Sequence, residues 1–97
     1  MYMNIFSEIS MKIIKEQELI IGPLAWSEAR KVEGLRVVDE HQGQVSIESG
    51  DNKAVIDRLV SQYERLFGRA SQEVCKEAAA ELLKGLAPDQ IPTSLLA

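Results

Sequence analysis

The sequence has one cysteine, Cys75, in 97 residues. No intramolecular disulfide can form, and secreted domains of this size usually carry an even set, so a reducing, cytoplasmic setting is expected. There is also one histidine, His41. Zinc takes three or four ligands, mostly nitrogen and sulfur, so no metal or cofactor is expected. Met1 to Ser10 carries no positive charge, and Asn4, Ser7 and Glu8 break its apolar character. It reads as neither a signal peptide nor a membrane span. No Gly-x-x-x-x-Gly-Lys-Ser/Thr, Gly-x-Gly-x-x-Gly, Gly-x-Ser-x-Gly or His-Glu-x-x-His occurs. Without those motifs nothing points to phosphate cradling, dinucleotide binding, a nucleophile elbow or a zinc hydrolase, and the chain is not expected to be an enzyme.

What is present is ordinary globular composition, 45% apolar and 27% charged. The length suits one domain, able to bury a core without staples. Net charge is −4. Most of the excess lies in residues 1–50, where eight acids face five bases. Phosphate-binding surfaces concentrate positive charge, so nucleic acid is not the expected partner.

Proline and glycine punctuate the chain from Gly22 onward. Gly22-Pro23 opens a helical stretch over 23–33, with Ala25, Ala29 and Val32 on one stripe and Gly34 at its end. Leu35 to Glu48 reads as a hairpin: Leu35 and Val37 alternate with polar residues, as do Val45 and Ile47, around a turn that includes Gly43. Asp51 or Asn52 then caps a helix whose apolar face is Ile56, Leu59, Val60, Tyr63, Leu66 and Phe67. Gly68 stops it. A last helix carries Val74, Ala78 and Leu82 beside Cys75, Ala79 and Leu83, and ends at Gly85. Pro88 and Pro92 prevent continuation into the tail 86–97.

The first 21 residues admit two readings. Glu18–Ile21 looks like a buried strand, with Met11–Ile14 as its hairpin partner. Alternatively, Phe6, Ile9 and Ile13 mark a helix. Met11 is a further candidate start, which would make residues 1–10 a dispensable extension. With the strand reading the order is β-α-β-β-α-α, an α+β sheet of three or four strands covered by helices on one face. That order resembles the opening of a ferredoxin-like fold, as in heavy-metal-associated domains. Those domains carry a Cys-x-x-Cys after the first strand. The corresponding loop here, Gly22-Pro-Leu-Ala-Trp26, has no thiol, so the resemblance implies no metal chemistry.

Several residues stand out as candidates. Arg58, Arg65 and Arg69 fall at spacings of seven and four and form a candidate anion-binding face, with no interleaved aromatics for base stacking. Glu73, Glu77 and Glu81 form an acidic ridge, read as a solvated face. Asp39, Glu40 and His41 sit at a wet hairpin turn. Cys75 reads as a small core residue. Trp26, Tyr63 and Phe67 are candidate interface residues, since aromatics are enriched in binding surfaces. The expected function is a non-enzymatic protein-interaction or regulatory module, self-associating or built into a larger assembly. The alternative is a small-molecule or anion sensor using the arginine face.

Overall fold

In the computed structural model, which describes residues 4–48 and 51–96, Asn4 caps the first helix. Its Oδ1 accepts the amides of Phe6 and Ser7 at 2.7 and 3.3 Å, a cap contributing about 1 kcal/mol. Helix α1 then runs Ile5–Ile21 with no glycine or proline inside it. Ile9, Ile13, Ile14 and Gln17 are buried at helical spacing. The helical reading of this region therefore holds and the strand pair does not form. Glu18–Ile21 is the last turn of α1, with Leu19 80% and Ile20 62% exposed. The apolar run looked like a buried strand, but burial of the Ile9/Ile13/Ile14 stripe leaves Leu19 and Ile20 pointing to solvent.

Helix α2, Leu24–Ala29, is shorter than expected, and residues 30–34 continue as turns. Its Ala25 and Ala29 are buried, as is Val32 beyond it. Strands β1 (Leu35–Asp39) and β2 (Gln44–Ile47) form the hairpin, pairing Leu35 with Ile47 and Val37 with Val45. A bulge between Val37 and Asp39 turns Val38 outward. Gly43 takes φ +71° in the turn. The end expected for the hairpin at Ser49-Gly50 lies outside the described residues.

Among the described residues the sheet has these two strands alone. The fold class, α+β, stands, but the order is α-α-β-β-α-α, and neither a three- or four-stranded sheet nor a ferredoxin-like opening is formed. The reason is that residues 18–21 are spent on α1, which itself packs on β2.

Helix α3 (Asn52–Phe67) is capped by Asp51, whose Oδ1 accepts the Lys53 amide at 2.9 Å. Gly68, at φ +85°, separates it from α4 (Arg69–Leu83). Helices α1 and α4 run antiparallel. Gln17 bonds to Ser71 near one end, and Ile5 sits beside Gly85 at the other. The chain then crosses back through two single turns, Pro88–Gln90 and Thr93–Leu95, the second lying on both α3 and α4.

Candidate functional site

Side-chain hydrogen bonds gather four helix ends at one end of the molecule. Gln17, one turn before the end of α1, donates through Nε2 to the Ser71 carbonyl in the first turn of α4 at 3.1 Å, and more weakly to the Cys75 sulfur. The Tyr63 hydroxyl, one turn before the end of α3, donates to the Ala25 carbonyl in α2 at 2.7 Å. Residues 17–25 and 63–71 are thus drawn together. Leu19, Ile20, Leu24, Leu66 and Phe67 all lie in these two segments, and all are exposed. Among the described residues, Val38 and Leu96 are the only other large apolar side chains so exposed.

Two buried polar side chains at this end are satisfied by main-chain carbonyls of other elements. Gln17 is 1% exposed, and an unbonded amide there would cost a few kcal/mol. The Ser71 carbonyl satisfies it. Tyr63 is fully buried, and burial, with Cys75 and Glu28 nearby, pushes its phenol well above the ordinary range.

Of the three candidate interface residues, two are core side chains. Trp26 is 1% exposed and Tyr63 fully buried, whereas Phe67 lies at the surface. The spacing of Ala25, Ala29 and Val32 leaves Trp26 off the apolar stripe, but a six-residue helix wedged between α1 and α3 buries the adjacent position too. The Trp26 indole N–H has no partner among the described residues. Leu66 belongs with Phe67 outside the core, because α3 is covered only as far as Tyr63. Leu19 and Ile20 are not legible as surface residues from the sequence, because the strand reading of Glu18–Ile21 buries them and only the helical reading exposes them.

The arginine face is divided. Arg58 and Arg65 line one open cleft of about 710 Å³ with Lys31. Arg69 is not on their helix: Gly68 ends α3, and Arg69 starts α4. Glu33, Asp57 and Glu64 line the same cleft, so its bases are matched by acids. Arg58 already donates to the Glu33 carbonyl, and Arg65 to Gln62. Beside it Glu28 is buried, bonded by Gln62 at 2.6 Å and Lys31 at 3.0 Å. The Gln62 hydrogen bond, aided by Lys31, holds its carboxyl below the usual carboxylate range.

Cys75 is fully buried on the inner stripe of α4 with Ser71 and Ala79. Burial pushes its thiol up to about 11, partly offset by the Gln17 bond, so it is poorly poised to be a nucleophile at neutral pH. Asp39, Glu40 and His41 lie at the hairpin turn. The Asp39 carboxylate accepts the amides of His41 and Gln42, Glu40 pairs with Arg30 at 2.7 Å, and His41 is exposed. Glu73 and Glu81 pair with Lys76 and Lys84 along the outer face of α4. Among the described residues, no helix is long and apolar enough to cross a membrane. No known family model, curated protein or solved structure matches the chain.

Proposed function

We propose that this chain is a non-enzymatic interaction module, and that it self-associates through the apolar end where α1, α2 and α3 meet. The observation that carries this reading is that Leu19, Ile20, Leu24, Leu66 and Phe67, all exposed, lie in the two segments that the Gln17 and Tyr63 hydrogen bonds draw together. Exposed apolar residues scattered singly are ordinary, but a gathered set is the mark of an interface. A twofold partner covers such a patch with the same patch from a second copy, so no other surface is needed. Apolar burial also suits a chain of net charge −4, whose copies repel through their carboxylates and not through these side chains.

Light scattering across a hundredfold dilution tests this. The expected result is a mass above the monomer at high concentration, reduced to monomer by Ile20→Glu or Leu19→Glu. Both side chains are exposed, so neither change removes core packing. A monomer mass at every concentration would refute the proposal. The anion-sensor alternative rests on Arg58, Arg65 and Lys31 around one cleft, and their matched acids weaken it. A phosphate titration followed by calorimetry separates the two readings.

A further inference from the structure

Residues 88–96 form only two single helical turns, yet side chains of the body hold them at defined points. Pro92 and Leu95 are buried. The Asp57 carboxylate of α3 accepts the Ser94 amide at 2.9 Å and also the Ser94 hydroxyl. The Gln72 side-chain amide of α4 donates to the Ser94 carbonyl at 3.1 Å. Lys53 donates to the Asp89 carbonyl at 2.6 Å. Two helices therefore satisfy both main-chain groups of one strap residue and bury an apolar side chain on either side of it. This division of labour is how grooves read peptides: main-chain hydrogen bonds give affinity, and pockets for flanking side chains give specificity.

We infer that the α3–α4 groove is a peptide-binding site for a Pro-x-Ser-Leu segment. Residues 92–95 are its occupant in cis, and the same segment of a second copy is its occupant in trans. The strap leaves the body through Lys84–Ala87, a connection that includes Gly85 and follows the end of α4. The same segment from another copy makes the same contacts, so the closed and exchanged forms differ only in that connection. A short tether presents its ligand at effective concentrations in the millimolar range, so exchange competes only when a second strap reaches similar concentration. The hydroxyl accepted by Asp57 selects serine at the central position. None of this rests on the apolar helix end.

The test uses the full, isotope-labelled chain and an unlabelled synthetic peptide of residues 88–97. At about 1–10 mM peptide, near the tether's effective concentration, the chain's own Ser94 amide resonance should move to its free position. Amides flanking Asp57 and Gln72 should keep their shifts, because the peptide replaces the strap. A peptide carrying Leu95→Ala should need about tenfold more, or beyond, for the same displacement. Hydrogen exchange without peptide gives a second readout that needs no variant. The Ser94 amide should exchange at least about tenfold faster than the core amides of α3, through local opening. A Ser94 resonance unmoved across the titration overturns the inference whatever the exchange rates. Displacement equally strong with the Leu95→Ala peptide also overturns it.

Discussion

Cys75 lies fully buried within reach of Gln17, and its thiol is pushed up to about 11. Alkylation at pH 8 should therefore be slow in the folded chain and accelerate on unfolding in urea. Equal rates in the two states, followed by mass spectrometry, would contradict the burial. Trp26 is the sole tryptophan and is 1% exposed, so its emission should shift to the red on unfolding. Trp26→Ala removes a large core side chain and should cost about 3–5 kcal/mol by urea denaturation. Trp26→Phe should cost less, since it also removes an indole N–H that has no partner among the described residues. Had Trp26 been a surface anchor, these changes would alter association and leave stability nearly untouched.

The hairpin and the helix ends depend on a few backbone positions. Gly43 takes φ +71°, and a Cβ there would fall on the Lys15 side chain that lies across the turn from α1. Gly43→Ala should destabilise the chain by about 1–2 kcal/mol from the left-handed backbone alone. The Lys15 stem is flexible and can move aside, so Lys15→Ala should not restore that loss. Thermal unfolding of the single and double variants checks both statements. The same element logic explains the division of the arginines: a residue count treats Arg58, Arg65 and Arg69 as one face, but the φ of +85° at Gly68 ends the helix before the third.

At the level of the whole molecule, the buried titratable groups set a pH window. Cys75 and Tyr63 hold their protons more tightly folded than unfolded. The folded state therefore binds more protons, and stability falls as pH rises from about 9 toward 11. Glu28 has the opposite sign. Its carboxyl is depressed by Gln62 and Lys31, so its contribution is present above the ordinary carboxylate value of 4.5 and is lost as pH falls below it. Urea midpoints from pH 3 to 10 should show a plateau between these limits. Gln62→Met should flatten the acid limb while leaving the alkaline limb unchanged, because Gln62 bonds Glu28 and neither Cys75 nor Tyr63.

The local features were legible from the amino-acid order alone. The hairpin over 35–48, a helix cap at Asp51 or Asn52 and the stop at Gly68 each follow from a backbone requirement met by one residue: a positive φ or a side-chain acceptor for free amides. The burial of Ala25, Ala29 and Cys75 was legible for a related reason, since helical spacing places residues on one face whatever that face meets. Long-range packing decided the rest. Glu18–Ile21 has equal claim to strand or helix by composition, and its state depended on α4 being available to bury Ile9, Ile13 and Ile14. Whether Trp26, Tyr63, Leu66 and Phe67 were core or surface depended on how far α1, α2 and α3 cover one another. The meeting of the helix ends, and the capture of Ser94 by Asp57 and Gln72, join residues far apart in sequence. No local pattern encodes such contacts, because their free energy exists only once the chain has closed on itself.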